Sequence, residues 1–571
     1  MSALDWIILF IFFAYTLWDG TRHNRRTNKV EDLLLAGRSM PWWAMGLSIM
    51  ATQASAITFI GTTGQAYMYD MRFIQVYLGL PIAMVILCLT LVPYYYRLKA
   101  FTAYELLERR FGLRMRLATS FLFLFSRGAT LGIAIAAPAY LLGLILHLPL
   151  QLTIVIIGIS ATLYTMLGGI TGVIRTDVKQ MALMMLGLVF CFGWMVYHIP
   201  VSFPDALSLA GTTGKLSTID LSFDPSSKYN LWSGLLAGLF LMLSYFGTDQ
   251  SQVQRYLTAR SLGDAKASLM LSAMVKIPMQ FFILLLGALM YVFFIFADHP
   301  LLFIPDAEQA GPASCSNEDQ FREVHAARKQ AATRMLHYGE DATLRQEFIA
   351  LDQEAQRLRK AEIHRLEADM HSSRNDTNYV FPWFMLTELP SGMLGLMVAA
   401  ILAAALSSID SMLNSLATVS VMDWYKRLHR QEKSPAHYLR ISRLTTLGWG
   451  LFATLSAIVF GETESIIELI NKVGSYFYGA ILGVFILVWV KRSTAGSAML
   501  GFTGGLLAVF VAASLYQHCE SGSIALFFPG QQSPEAFHPL IEYLWLNPIG
   551  TLVVLLLGVA AGKGGSKGEA S

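Results

Sequence analysis

The chain has 571 residues, 54% of them apolar and only 14% charged, with a mean hydropathy of +0.50. These values exclude a water-soluble globular protein, because uncharged windows of about 18 or more residues recur along almost the whole chain, each long enough to cross a bilayer as a helix. A net charge of +3 says little about partners, and no basic tract suggests nucleic acid, which is not expected as one.

The hydropathy predicts an all-α integral membrane protein of about 13 transmembrane helices. They fall at roughly 4–20, 42–69, 73–96, 118–146, 150–169, 177–200, 230–250, 267–297, 390–422, 440–461, 465–490, 494–516 and 541–562. No basic residue precedes the first span, while Arg22, Arg25, Arg26, Lys29 and Arg38 follow it, the pattern of an N-out anchor rather than a cleaved signal peptide. The loop after the third span carries Arg97, Lys99, Arg109, Arg110, Arg114 and Arg116, whereas 461–464 and 517–540 hold no Lys or Arg. Positive charge marks the cytoplasmic face, so an odd number of spans leaves the C-terminus inside. The predicted setting is the inner or plasma membrane, with a functional monomer in the lipid bilayer.

The second span is small and polar at its middle, Ala51-Thr52-Gln53-Ala54-Ser55, with Gly46, Gly61 and Gly64 around it. That composition suits either a locally unwound helix, whose carbonyls face an ion, or a tightly packed small-residue helix. The seventh span loses its helical apolarity after Gly247. Its spacing from the second fits two inverted repeats of five helices, spans 2–6 and 7–11. Residues 305–380 turn strongly polar and predict a helical hairpin on the outer face, broken at Tyr338-Gly339. The resulting division is 1–40 (anchor and loop), 41–200 (first repeat), 201–304 and 381–492 (second repeat, split by 305–380), and 493–571 (two helices and a tail).

The ninth span carries the most telling residues. At about 100° per residue, Ser407, Asp410, Asn414, Ser411 and Ser408 share one face of about 160°, with Ala404 among them. An acid in the bilayer centre costs roughly 2.5–3.5 kcal/mol and marks a functional candidate. Oxygen ligands on one stripe suit a small alkali cation; the rival reading is a helix contact glued by serines. Of the four cysteines, Cys88 and Cys191 fall within spans as packing residues, while Cys315 and Cys519 fall outside, where a disulfide is open to them. No P-loop, paired CxxC or HExxH pattern is present, and no nucleophile–base set shares a face, so an enzyme is not expected.

The segment 164–180, with Gly168-Gly169, Thr176-Asp177 and Gln180, resembles the signature of the sodium–solute symporter family. So do 51–61 (ATQASAITFIG), 248–257 (TDQSQVQRYL) and 403–415 (AAALSSIDSMLNS), in order and on the expected spans. The resemblance implies a five-plus-five inverted-repeat core of the LeuT-like kind with broken helices, and symport of a small polar solute with Na+. It implies a main sodium site from the carbonyls of Ala51, Ala54 and Ala404 and the hydroxyls of Ser407 and Ser408. A second cation site would use Ser407, Asp410 and Ser411, although the family's sialic acid symporters have Ser in place of Asp410. That carboxylate either tightens a second cation, takes a proton, or pairs with a base. The solute would lie near Ser55, Thr58, Phe73, Tyr77, Thr130, Asp249, Lys276 and Asn471, with Arg127 one turn from Thr130. Arg127 either grips an anionic solute or is a structural charge. Tyr245 and Tyr476 are candidate walls or gates, and Asp177 an ion-exit or capping residue. The favoured solute is a sugar or polyhydroxylated acid; the alternative is a monocarboxylate, amino acid or other small anion, with proton coupling in place of sodium.

Overall fold

The computed structural model describes residues 1–22, 30–146, 148–303, 317–339, 341–370, 376–429, 431, 433–459, 466–519, 521–527 and 537–562. Most of them are helical. By length and composition eight helices among them can cross a bilayer, or nine when the bent pair Trp42–Gln53 and Ala56–Met68 counts as one span. The protein is therefore a multi-pass membrane protein. Ser233–Thr248 and Lys472–Leu487 are apolar but shorter. The spans predicted at 150–169 and 177–200 share one element, Leu150–His198.

That element holds 49 residues in two helices that meet at a kink, so it is not one straight rod through the roughly 30 Å hydrocarbon core. It is interrupted at Gly169, whose φ of 59° is open to glycine at little cost. A Cβ there would also lie 2.6 Å from the Leu33 side chain. Because the helix runs on through 177, Asp177 is not a capping residue, and the expectation of a helix start there is corrected.

Two other breaks lie where the sequence loses its apolarity. Trp42–Gln53 ends at Ala54 (ψ 71°), Ser55 is extended, and Ala56–Met68 departs at 57°. Ser233–Thr248 ends at extended Asp249, which caps Gln250–Leu257 by accepting from the Ser251 amide at 2.9 Å. The first helix, Ala3–Arg22, is joined to the helix Met393–Val419 by a cap. Asp5 Oδ1 accepts the amides of Gly392 (2.7 Å) and Gly395 (2.8 Å), which are orphan donors at the start of that helix.

The polar insertion forms two helices, Glu318–Tyr338 and Ala342–Met370, separated by Gly339 at φ 81°. Arg328 donates to Asp352 (3.1 Å) and to the Phe294 carbonyl, and Tyr291 also donates to Asp352 (2.7 Å). Arg359 pairs with Asp376 and lies 5.7 Å over the Tyr67 ring. Beside that pair, a Cβ on Gly64 would fall 2.0 Å from the Thr377 carbonyl, so only glycine lets Ala56–Met68 pack this closely. The hairpin is thus bolted to the far half of the broken helix. His325, packed against His299 and Phe321, is pushed down to about 4, by burial first and by Arg328 next.

One element was not foreseen. Where 517–540 reads as a loop, Leu515–His518 pairs antiparallel with Ile524–Leu526 on one side and Phe537–Pro539 on the other. Cys315 lies outside the described residues; Cys519 is exposed, with its Sγ 3.6 Å from His538 Nδ1.

Candidate ion and solute site

Met393–Val419 is buried along nearly its whole length, so its polar stripe must find partners inside the protein. Ser408 Oγ donates to the Thr52 and Ala404 carbonyls, each at 3.1 Å. It ties this helix to the last turn before the break at Ala54. Ala51, Ala54 and Ala404 are fully buried around it. Ser407 Oγ turns away to Asp177 Oδ1 at 2.6 Å. A hydroxyl that donates its hydrogen keeps lone pairs for a cation, so both serines stay competent as ligands.

Ser411 opens a second polar cluster. Its hydroxyl donates to the Ser407 carbonyl, sits 3.1 Å from Asp410 Oδ1 and 3.0 Å from Thr52 Oγ1, and accepts from the Arg255 guanidinium. Arg255 also donates to Ser48 Oγ (2.9 Å), the Ser251 carbonyl (2.6 Å) and Asp177 Oδ2 (3.3 Å). A buried charge is tolerable only when paired and fully hydrogen-bonded, and Arg255 meets that condition. Asp410 does not: its Oδ2 is buried with no hydrogen-bond partner. The reading in which Asp410 pairs with a base finds no such pair among the described residues.

Beside the break lies a cavity of about 110 Å³. Its walls include Ser55, Thr58, Tyr77 and Arg127 together with Ser408, so four solute candidates and one ion candidate share a single space. Arg127 Nε donates to Asp249 Oδ2 at 2.6 Å, and Tyr478 bridges the two, donating to Asp249 at 3.1 Å and accepting from Arg127. Tyr245, another wall residue, stacks 5.2 Å from the guanidinium and accepts from Gln252 at 2.7 Å. Lys276 is fully buried, its Nζ 5.2 Å over the Tyr77 ring with no hydrogen-bond partner. Phe73 braces Tyr77 edge-on at 5.9 Å.

Other candidates stand apart. Thr130 spends its hydroxyl on the carbonyls of Ser126 and Arg127 within its own helix. Tyr476 stacks on Phe510 at 5.7 Å instead of facing the cavity. The Asn471 side chain lies outside the described residues. Sequence reasoning missed Tyr478 and Arg255. The first carries no signal beyond being a Tyr in a span. The second sits in the quoted run TDQSQVQRYL, and an Arg amid polar residues in an apolar region was the available clue.

Comparison with known proteins adds to this geometry. A family model described as "Sodium:solute symporter family" matches residues 33–324 and 364–505, leaving out the middle of the hairpin. A sodium/sialic acid symporter, SiaT, of Proteus mirabilis is 26% identical over 555 residues, spanning 94% of this chain and 96% of its own. A sodium/glucose cotransporter of Vibrio parahaemolyticus is 26% identical over 533 residues, spanning 89% and 84%. A solved structure of a Na+-coupled sialic acid symporter, substrate-bound and outward-open, shares the fold with a TM-score of 0.74 at 24% identity, covering 98% of this chain and 97% of the other.

Proposed function

Because the chain belongs to the sodium:solute symporter family, and so couples sodium entry to uptake of a small polar organic solute, we propose that the solute is a sugar or a polyhydroxylated acid held in the cavity beside Ser55, Thr58, Tyr77 and Arg127. The observation that carries this reading is that Ser408 shares that cavity with the solute candidates. A cation among Ala51, Ala54, Ala404, Ser407 and Ser408 would pin the broken helix to the serine helix and shape the wall the solute meets.

The chemistry of the wall supports the solute class. Arg127 and Asp249 neutralise each other, so the pair offers donors and acceptors without net charge, suited to hydroxyl groups. Tyr77, Tyr245 and Tyr478 supply flat faces and polar tips. A carboxylate on the solute would find the unpartnered Lys276 ammonium behind Tyr77. Phe73, which braces Tyr77, completes the proposed set with Thr130 and Asn471.

Asp410 with Ser411 and Ser407 is proposed as a second cation site. Its orphaned oxygen equally favours protonation, and this is the rival, proton-coupled reading. In topology, the breaks at Ala54 and Asp249 support two inverted five-helix repeats within about 13 spans. The loop charges support an outside N-terminus, a cytoplasmic C-terminus and an inner or plasma membrane location, with the hairpin facing outward and a monomer as the working unit.

The deciding test is thermal stabilisation of the purified protein by sugars, sugar acids, polyols, amino acids and monocarboxylates, in sodium or in choline. A ligand stabilises the state it binds, so a sugar-class hit confined to sodium is expected. An equal hit in choline overturns the sodium site and leaves Asp410 protonation; a hit from simple monocarboxylates alone overturns the solute class.

A further inference from the structure

We infer that a groove on the membrane face, separate from the transport cavity and on the other side of the helix that carries Arg127, holds one acyl chain of an anionic phospholipid whose phosphate rests on Arg114 and Lys426. The groove lies between Leu113–Leu146 and Pro435–Val459, with the tail of the serine helix as its floor, and holds about 670 Å³. The two helices touch at its closed end, where a Cβ on Gly128 would fall 2.6 Å from the Trp449 ring and one on Gly132 2.9 Å from Ser456. Beside that contact Phe121, Phe125, Trp424, Trp449 and Phe452 line the opening. Both indoles spend their N–H inward, Trp424 on Ser120 Oγ and Trp449 on Ser420 Oγ, each at 3.0 Å. What remains facing the bilayer is apolar surface shaped as a slot, which suits a hydrocarbon chain.

The charges at the mouth select the headgroup. Arg114 precedes Phe121 by two helical turns and therefore stands on the groove's own face. Lys426 points away from Trp424 on its own helix, but its Nζ lies 5.7 Å over Tyr438, which precedes Thr445 of the groove wall by two helical turns. Nearby Arg116 and Arg427 are taken by Glu108 and Asp423. Arg114 and Lys426 are exposed and have no carboxylate partner among the described residues. Two unneutralised cations above an apolar slot match a phosphate above an acyl chain, and the loop charges put this mouth at the cytoplasmic leaflet, where anionic lipids concentrate.

The floor of the groove gives the lipid a lever. Trp424 and Ser420 continue the helix that carries Ser407, Ser408 and Asp410, so occupancy braces the end of the ion-binding element. The binding test is nonetheless independent of the transport reading.

The experiment is native mass spectrometry of the full chain extracted from nanodiscs of phosphatidylcholine with phosphatidylglycerol, comparing wild type, Gly448→Phe and the double variant Arg114→Gln/Lys426→Gln. A Cβ on Gly448 meets nothing within 4 Å, so a ring there fills the slot without a backbone clash. Wild type is expected to retain one phosphatidylglycerol per chain in preference to phosphatidylcholine, and both variants to lose that retention several-fold. Equal retention of the two lipids, or unchanged retention in the double variant, overturns the inference. So does a dimer mass that Gly448→Phe abolishes, which would give the groove to a second copy. Should Gly448→Phe fail to fold, the double variant, altered only at exposed side chains, decides alone.

Discussion

Ser408 is a hinge pin between two elements, and its hydroxyl is expected to matter more than its volume. Ser408→Ala removes a donor to the Thr52 and Ala404 carbonyls and one proposed cation ligand. A loss of about 1.5 kcal/mol corresponds to a shift of roughly tenfold in the sodium needed for half-maximal uptake, read from a sodium titration of transport. Asp410→Ala is expected to reduce sodium affinity or cooperativity more than maximal solute binding; an unchanged sodium curve removes the residue from the ion path. Arg127 and Asp249 behave differently, because removing one buried charge strands the other. Arg127→Ala should cost about 3–5 kcal/mol of stability, visible in the melting temperature. Arg127→Met with Asp249→Leu should recover most of that stability but not transport. At this scale the sequence made the buried polar stripe readable, because small polar residues in an apolar span are costly and rare. It could not reveal that Asp249 faces Arg127, since a contact between residues 122 positions apart leaves no local trace. The partners of Asp177 were hidden for the same reason: Ser48, Ser407 and Arg255 come from three other elements.

Among the elements, the two helix breaks were legible from composition, whereas the small sheet at 515–539 was not. Its strands of three or four residues are too short to show an alternating pattern. The hairpin's helices were visible in their periodicity, but its anchorage was not. Arg359, Asp376 and Gly64 meet only after folding. The hairpin also carries a pH signature. His325 faces His299, Arg328 and, more distantly, Asp298 and Lys329, and its folded value of about 4 lies below its ordinary 6.5. The unfolded hairpin therefore binds more protons between those values. Docking is fully stabilised above about pH 6.5 and weakens as pH falls toward 4. The protection of Glu318–Tyr338 against hydrogen exchange, taken relative to the intrinsic exchange rate at each pH, should fall between pH 7.5 and pH 5, and His325→Gln should flatten that change; a pH-independent protection would remove His325 as the cause.

For the whole molecule, the number of cations sets the gradient the protein can build. One sodium ion moving through 100 mV contributes about 2.3 kcal/mol, and a tenfold concentration gradient about 1.4 kcal/mol. One ion thus supports several-hundredfold accumulation of a neutral solute, and two ions roughly the square of that. Proteoliposomes held at fixed potential distinguish the cases, and Asp410→Ala should lower the limit if Asp410 holds the second ion. The family was legible from four ordered motifs. The solute was not, because the pocket proposed for it is lined by side chains such as Tyr478 that look like ordinary packing residues in one dimension.

The bolt between the hairpin and the broken helix has a practical side. Helix Ala56–Met68 is the piece that meets the cavity at Thr58 and Arg359 at Tyr67, so any swing of its far end must be carried into the hairpin. A fluorophore at an exposed hairpin position such as Arg345 would then ride that motion in the aqueous phase. Single molecules could be watched through their turnover by a dye that never enters the bilayer.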